Sequence, residues 1–390
     1  MNQKKHSLWE IFRVSSKLGL TSFGGPIAHL GYFKNEYIDK RKWLDDKTYA
    51  DIIALCQFLP GPASSQVGMA IGILRGGMLG GLLSFIGFTL PSVLVLILFA
   101  LLYQNYDIAH AGWIHGLKLV AVAVVAQAVL GMGQKLAPDK PRVSIAIVAA
   151  IFTLLWPSAI GQIAIIVVTG IIGVFLYKNQ EFPKVREMSV SLSKKAGMLA
   201  FVTFFLLLFG LPLLRQLTGN HLLSVFDAFY RAGSLVFGGG HVVLPLLERE
   251  LVPTGWVGAD EFLAGYGMAQ AVPGPLFTFA SYLGTMMGGV SVAIIATIAI
   301  FLPAFLLVVG SLPFLNEIRK RPLFQAALTA INAAVVGILL AALYNPIWTS
   351  TVNTTIDFTI VLALFGLLTY WKWPAWIVVL VGALVGFIFA

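Results

Sequence analysis

Long uninterrupted apolar runs are the feature that most limits how this chain can fold. The stretch GGMLGGLLSFIGFTLPSVLVLILFALLYQ, from Gly76 to Gln104, contains no charged residue, and a membrane-spanning helix needs only about 18 to 20 such residues. Hydrophobic residues make up 58% of the 390 residues and charged residues only 11%, whereas about a quarter of a soluble domain is charged. Ten-residue segments of alternating polarity, typical of an outer-membrane barrel, do not occur in the sequence. The sequence therefore predicts an all-α integral membrane protein.

The reactive side chains are few and scattered. Cys56 is the single cysteine, and the six histidines are dispersed, so the sequence offers no disulfide and no ligand spacing for a metal ion or haem. We therefore expect no cofactor and no metal. The net charge of +9 is attributed to loops that face the cytoplasm, and nucleic-acid binding is not expected.

Four landmarks occur twice in the same order, at separations of 212 to 217 residues. They are the FGG motifs at Phe23 and Phe237, the QxxPGP motifs at Gln57–Pro62 and Gln270–Pro275, the prolines Pro91 and Pro303, and the prolines Pro157 and Pro374. One PGP motif alone would be weak evidence. Four landmarks in matching order predict an internal duplication.

The basic loops indicate how the two halves are oriented. Residues 34–47 contain five Lys or Arg residues, whereas the corresponding residues 248–261 contain only Arg249. Residues 105–110 contain none, whereas the corresponding residues 316–322 contain three. Since positive residues favour the cytoplasmic side, the swap predicts two repeats of inverted topology.

A count of crossings supports the same arrangement. Spans are predicted at 76–103, 112–134, 142–157, 160–177, 196–214, 290–314, 325–345, 357–371 and 373–390. The first repeat then covers residues 1–195, a linker helix covers 196–214, and the second repeat covers 215–390. Nine crossings put the basic loops and the N-terminus in the cytoplasm and the C-terminus outside. This count requires that the FGG and PGP segments form re-entrant hairpins, which enter the membrane without crossing it. The N-terminus has no small-residue cleavage site, so we do not expect a removed signal peptide.

Breaks in helices at membrane depth are tolerated only where they are buried in protein or line a polar cavity. Each FGG and PGP break is expected to restart a helix whose free N–H groups and positive dipole end attract an anion. Two breaks from each half would converge near the bilayer midplane, which is typical of a secondary transporter. The alternative is that glycines only permit close packing. We favour that alternative for the GxxxG-spaced Gly72, Gly76, Gly80, Gly284 and Gly288.

At these motifs the sequence resembles the chromate ion transporter family in its long, two-domain form. The resemblance is carried by SFGGPIAHL, QFLPGP, the glycine-rich stretch through FTLP, VFGGGHVVLP and QAVPGP, and it extends from about Leu8 to the C-terminus. It implies a cytoplasmic-membrane carrier that expels chromate, a tetrahedral dianion similar to sulfate, with protons as the coupling ion. The residues that match the family motifs are Phe23, Gly24, Gly25, Pro26, His29, Pro60, Gly61, Pro62, Phe237, Gly238, Gly239, Pro273, Gly274 and Pro275. Gly240 and His241, which directly follow the second FGG motif, are further candidate site residues.

Four basic residues are candidates for neutralising a dianion. Lys17 and Arg231 each lie six residues before an FGG motif, and ionisable groups at membrane depth are functional candidates. Lys118 lies within a predicted span, and Arg75 lies at the end of the first PGP segment. Each residue has an alternative role, because long basic side chains also reach the membrane surface.

The histidines and glutamines near the breaks have two interpretations each. His29 or His241 could carry a coupling proton, or each could be satisfied by a local carbonyl. His241 lies four residues after Phe237 and His29 lies six after Phe23, so symmetrical roles are doubtful. Gln57 and Gln270 could donate amide N–H groups to an oxyanion, or they could cap the broken backbone.

The sequence predicts a transporter and not an enzyme. A Walker-type phosphate-binding loop is absent from the sequence, so transport would draw on an ion gradient. The expected function is chromate export that confers chromate resistance. The alternatives are uptake or exchange of sulfate or another oxyanion and, with less support, a membrane-embedded chromate reductase. The GxxxG spacing leaves a homodimer open.

Overall fold

The computed structural model describes residues 7–22, 25–45, 48–49, 52–53, 55–56, 59–105, 112–156, 159–177, 192–236, 242–314, 322–349 and 351–389. All regular structure in these residues is helical. The α-helices are α1 (Leu8–Thr21), α2 (Gly25–Phe33), α3 (Ala63–Asn105), α4 (Gly112–Leu136), α5 (Lys140–Leu155), α6 (Ala159–Tyr177), α7 (Lys194–Thr218), α8 (His221–Leu235), α9 (Val243–Leu251), α10 (Ala259–Ala271), α11 (Phe279–Ser311), α12 (Pro322–Ala342), α13 (Thr355–Thr369) and α14 (Ala375–Phe389). The expected all-α fold is confirmed.

Helix α3 is a hairpin of two helical arms. The chain reverses at Gly76 and Gly77, and Gly77 has φ 64° and ψ −159°, a conformation that is open almost only to glycine. The Ser84 hydroxyl donates to the Gly68 carbonyl at 2.8 Å, although sixteen residues of straight helix would separate these groups by about 24 Å. The arm that follows the first PGP motif therefore folds back along the arm that continues to Asn105.

Helix α11 repeats this hairpin in the second half. Its reversal lies at Gly288 and Gly289, and Gly289 has φ 78° and ψ −166°. A Cβ atom on Gly284 would lie 2.6 Å from the Cα atom of Ala293 on the opposite arm. The glycines thus allow the two arms of one hairpin to approach closely.

The hairpins correct the interpretation of the GxxxG glycines. Gly76 and Gly288 have non-helical backbone angles and belong to the reversals. A Cβ atom on Gly72 would lie 2.8 Å from the Cβ atom of Ser84 in the same hairpin. Close packing was expected and is present, but it lies inside each hairpin. Gly72 therefore provides no face for dimer formation.

Five helical stretches are long and apolar enough to cross a membrane within the described part of the chain. They are Ala63–Asn105, Gly112–Leu136, Lys194–Thr218, Leu276–Phe314 and Gln325–Asn345. Shorter apolar helices lie at Ala164–Tyr177, Thr355–Thr369 and Ala375–Phe389. Over their described residues, all nine predicted spans lie on helices, although 142–157, 357–371 and 373–390 extend one or two residues past a helix end. The composition of these helices is that of a multi-pass membrane protein.

The two hairpins pack against each other. Helix α3 packs against α11, α1 packs on α3, and α8 packs on α11. Each half thus places a short helix that precedes its FGG motif against its own hairpin. This arrangement brings the breaks of the two halves to the interface between α3 and α11.

Candidate functional site

The two PGP turns have the same backbone conformation. Gly61 has φ +117° and Gly274 has φ +104°, and side chains other than glycine are strained at such angles. Helix α3 begins directly after Pro62, while Pro275 precedes a 3₁₀ turn at Leu276–Thr278 that leads into α11. The restart of a helix after each PGP motif agrees with the sequence prediction.

Each PGP turn is hydrogen-bonded to the break of the other half. The Gly61 N–H donates to the Val236 carbonyl at 2.7 Å, and the Gly274 N–H donates to the Ser22 carbonyl at 2.9 Å. Ser22 and Val236 are the residues that directly precede the two FGG motifs. The site is therefore built from both halves, with each PGP turn joined to the opposite FGG segment.

The helices that carry Pro91 and Pro303 limit the space beside these turns. A Cβ atom on Gly61 would lie 3.2 Å from the Cβ atom of Ala304, and one on Gly274 would lie 2.9 Å from the Ser92 hydroxyl. Ser92 and Ala304 follow Pro91 and Pro303 at matching positions in the two halves. Glycine is required at both turns for space as well as for backbone angle.

The first FGG segment separates two short helices. Helix α1 ends at Thr21 and α2 begins at Gly25. Pro26 lies in the first turn of α2, where the missing N–H removes no helical hydrogen bond. Helix α2 is nine residues long, and the first N–H groups of a helix have no partner within that helix.

His29 joins α2 to the start of α3. Its side chain is 1% exposed, and its Nδ1 lies 3.1 Å from the Ser64 hydroxyl. The imidazole packs edge-on against Phe88, with ring centres 5.5 Å apart, and it interacts with the backbone of Ser22. His29 thus contacts Ser22, directly before the first FGG motif, and both arms of the α3 hairpin.

The glutamines near the two PGP turns differ in their hydrogen bonds. In the first half, Gln66 Nε2 donates to the Pro60 carbonyl at 2.7 Å and caps the broken backbone. In the second half, Gln270 Nε2 is buried and has no hydrogen-bond partner in the described residues, and the same holds for the Ser22 hydroxyl. Buried polar atoms without partners are rare in folded proteins. These two groups share this state with Ser65 Oγ, Gln66 Oε1 and Thr89 Oγ1 of α3.

The cations six residues before the FGG motifs already have carboxylate partners. Lys17 Nζ lies 2.8 Å from Glu36 Oε2, and an Arg231 guanidinium nitrogen lies 2.6 Å from Glu250 Oε1. Both residues of the second pair lie 214 positions after those of the first. Arg231 also contacts the fully buried Asp227 at 3.0 Å. An anion would have to compete with these carboxylates for either cation, and substrate contact by Lys17 or Arg231 stays a prediction.

The carboxylate of Glu36 is held ionised by its neighbours. Burial would raise the pKa of this carboxyl, but hydrogen bonds and charge attraction from Lys17 and Arg41 lower it below the ordinary value of 4.5. Arg41 Nε lies 3.0 Å from Glu36 Oε1, and its guanidinium also reaches Glu10 at 2.9 Å. The cluster at the end of α1 is therefore a network of paired charges.

The other two predicted cations also have other contacts. Lys118 is 8% exposed, and its Nζ lies 2.5 Å from Asp260 at the start of α10. The Arg75 guanidinium lies 5.2 Å from the ring centre of Trp43 and donates to the Trp43 carbonyl at 3.2 Å. Neither contact involves an FGG or PGP segment, and substrate contact by Lys118 or Arg75 stays a prediction.

Several predicted site residues lie outside the described residues. They are Phe23, Gly24, Gln57, Phe237, Gly238, Gly239, Gly240 and His241. Sequence reasoning did not identify Ser22, Val236, Gln66, Glu36 or Glu250. The two glutamates could have been found by applying the repeat offset of 214 to the residues around Lys17 and Arg231.

Helices broken in each half and joined across the interface define a class, the multi-pass membrane transporters. The family model described as "Chromate transporter" matches residues 9–174 and again residues 223–387. The chain therefore belongs to the chromate transporter family. The two matched segments begin 214 residues apart, which is the separation of the paired FGG motifs.

Curated relatives share about a quarter of their residues with this chain. A chromate transport protein of Pseudomonas aeruginosa is 27% identical over 338 residues, which cover 85% of this chain and 79% of the relative. An uncharacterized transporter of Methanocaldococcus jannaschii is 25% identical over 391 residues, covering 98% and 94%. A chromate transport protein of Cupriavidus metallidurans is 24% identical over 347 residues, covering 86% and 82%. No solved structure matches the chain.

Proposed function

We propose that the chain carries chromate across the cytoplasmic membrane and binds it where the FGG and PGP segments of opposite halves meet. The observation that carries this proposal is the pair of crossed hydrogen bonds, from Gly61 to Val236 and from Gly274 to Ser22. A ligand at this junction would contact both halves at once. A carrier that exposes one site alternately to each side of the membrane requires such a position.

The anion in this proposal is held by neutral donors. Lys17 and Arg231 are paired with glutamates, so they balance charge around the junction without binding the substrate. The remaining donors are the first N–H groups of α2, which starts at Gly25, and the unpartnered Nε2 of Gln270. Free N–H groups at a helix start bind anions through hydrogen bonds and the helix dipole.

The direction of transport follows from coupling to an ion gradient. We assign the coupling proton to His29, because its imidazole connects α2 to Ser64 in the first turn of α3. A neutral imidazole carries one N–H donor, whereas the protonated ring carries two. The ring is 1% exposed in the described conformation, and burial favours its neutral form, so it takes up the proton when the site opens. Protonation would then change the contact between α2 and α3, and with it the position of the donors around the anion. Export under these conditions would confer chromate resistance.

Sulfate exchange is the alternative that the same donors permit, since sulfate is also a tetrahedral dianion. The test is flux of labelled chromate and labelled sulfate in proteoliposomes of the purified chain, with and without an imposed pH gradient. We expect saturable chromate flux that the gradient accelerates and that sulfate inhibits weakly. Sulfate flux faster than chromate flux would favour exchange, and chromate flux no greater than in empty liposomes would refute the proposal.

A matched pair of glutamine variants locates the site. Gln270→Leu removes the unpartnered donor, so we expect chromate flux to fall about tenfold, as for the loss of one hydrogen bond to a charged ligand. The control is Gln134→Leu, which makes the same change at an exposed position near the end of α4 and should leave flux unchanged. Unchanged flux in Gln270→Leu would remove Gln270 from the site.

A further inference from the structure

The outward face of α1 carries a groove of about 340 Å³. Trp9, Phe12 and Leu20 provide its apolar wall, and Arg13 and Lys17 provide two cations. Trp9 is 67% exposed and Leu20 is 60% exposed, while the opposite face of α1 packs on α3. The groove is therefore an amphipathic helix face that is left open in the described structure.

The matching face in the second half is covered by α7. The residues 214 positions after Phe12 and Arg13 are Phe226 and Asp227, and both lie on α8, which packs against α7. The Asp227 carboxylate lies 3.0 Å from the Arg215 guanidinium of α7. Helix α7 thus fills in the second half the place that is open beside α1 in the first.

The position of α7 shows which environment the open groove faces. Its outer side exposes large apolar residues, among them Leu206, Phe209 and Leu213, at 62% to 67%. In a membrane protein such a side faces lipid chains. The corresponding place beside α1 therefore lies at the lipid-facing perimeter as well. Arg215 lies three residues before the end of α7, so this cluster lies near a membrane surface.

Charge distinguishes the open groove from its covered counterpart. Arg13 stands where the second half has Asp227, and no carboxylate oxygen of the described residues lies within 4.0 Å of its side-chain nitrogens. Lys17 is paired with Glu36 but its side chain remains 53% exposed. A second copy of α7 would bring Arg215 against Arg13, which is repulsive. An occupant with a negative head and an apolar tail fits both the charges and the wall.

We propose that this groove binds an anionic phospholipid. Its phosphate lies on Arg13 and the exposed side of Lys17, and an acyl chain lies along Trp9, Phe12 and Leu20. Basic residues near a membrane surface attract anionic headgroups by about 1 kcal/mol each. The lipid covers the face of α1 in the first half, as α7 covers the corresponding face of α8 in the second half. No helix of the described residues covers that face of α1.

The test is native mass spectrometry of the purified full chain titrated with phosphatidylglycerol or phosphatidylcholine. We expect retention of one phosphatidylglycerol at a concentration about fivefold or more below that needed for phosphatidylcholine. Arg13→Gln should abolish this preference without breaking an ion pair. Arg13→Asp, which restores the residue type of the second half, should weaken phosphatidylglycerol binding further. The control variant Lys135→Gln/Lys140→Gln removes two other exposed cations and should keep the preference.

Any of four outcomes would overturn the proposal. The first is equal retention of the two lipids by the unaltered chain, and the second is an unchanged preference in Arg13→Gln. The third is competition by inorganic phosphate at millimolar concentration to the same extent as by lipid, which would indicate a simple anion site. A dimer that forms without lipid and is lost in Arg13→Asp would assign the groove to a second copy instead.

Discussion

The two PGP turns share a backbone but differ in the side chains around them. Both turn glycines have positive φ and both donate to the residue before the opposite FGG motif. In the first half, Gln66 donates its amide to the Pro60 carbonyl, whereas Gln270 in the second half leaves its amide unpartnered among the described residues. The matched backbone serves the fold of both halves. Gln66 and Gln270 are not repeat equivalents, because the counterpart of Gln270 is Gln57, which lies outside the described residues. The contrast therefore concerns the polar groups present at each turn.

The ion pairs that flank the breaks differ in the same way. Lys17 and Glu36 in the first half correspond to Arg231 and Glu250 in the second. The second pair also includes the buried Asp227, which holds Arg215 of α7. The cluster in the first half is open to solvent or lipid headgroups, whereas the second is closed by a helix. The energetic cost of disturbing the two clusters should therefore differ.

The largest effect is expected for Asp227→Asn. This change leaves Arg215 and Arg231 with one fewer buried carboxylate, and breaking a buried ion pair typically costs about 3 to 5 kcal/mol. Glu36→Gln should cost less, because Lys17 is 53% exposed and water can solvate it. Thermal unfolding of both variants in the same detergent measures the difference. Equal shifts in the midpoint would show that the two clusters are energetically alike.

Substitution of the turn glycines tests whether the shared backbone matters equally in both halves. Gly61→Ala and Gly274→Ala each force a side chain into a conformation that costs about 1 to 3 kcal/mol. Gly274→Ala should be the worse variant, because its Cβ atom would lie 2.9 Å from the Ser92 hydroxyl. We expect both to lower the unfolding midpoint and to reduce chromate flux.

The control for the turn glycines is Gly210→Ala in α7. A Cβ atom there would meet nothing within 4 Å, and alanine favours a helix over glycine by about 1 kcal/mol. This variant should unfold at the same or a higher temperature and transport normally. Wild-type stability in Gly61→Ala and Gly274→Ala would mean that neither turn needs glycine.

The glutamines separate stability from transport. Gln66→Leu leaves the partly buried Pro60 carbonyl without its donor, which should cost about 1 to 3 kcal/mol in stability. Gln270→Leu removes no hydrogen bond within the described structure, so it should keep the unfolding midpoint and lose chromate flux. A lower midpoint in Gln270→Leu with intact flux would reverse the two roles and contradict the proposed site.

The sequence predicted the helical class, the broken segments and the restart of helices after the PGP motifs. Hydrophobic run length determines membrane helices, and glycine and proline mark breaks through backbone sterics that act locally. The same local signals placed the turns at Gly61 and Gly274. The prediction that Lys17 and Arg231 occupy matching positions also agrees with their equivalent ion pairs.

The sequence did not predict how these elements meet. Re-entrant PGP segments were predicted from the number of crossings, but the reversal at Gly76 and Gly77 was not, because Gly76 was interpreted as a helix-packing glycine. The partners of Gly61 and Gly274 lie in the opposite half, and single-sequence patterns carry no information about such distant contacts. The ion pair of Arg231 with Glu250 was not predicted for the same reason, since Glu250 is 19 residues away and meets it only through the fold.

The smallest effect is expected for the pH dependence of the stability that the Lys17–Glu36 ion pair contributes. It tests whether this partly exposed pair behaves differently from the enclosed pairs of Asp227. The pKa of Glu36 in the folded chain lies below 4.5, because the hydrogen bonds and charges of Lys17 and Arg41 outweigh the effect of burial. Its ion pair therefore stabilises the fold fully above about pH 4.5, and this contribution is lost as the pH falls through the lowered pKa. The midpoint difference between the unaltered chain and Glu36→Gln should be constant near neutral pH and shrink under acid. A difference that grows as the pH falls would mean that the carboxyl is protonated in the folded state and that the cluster of α1 is held by other contacts.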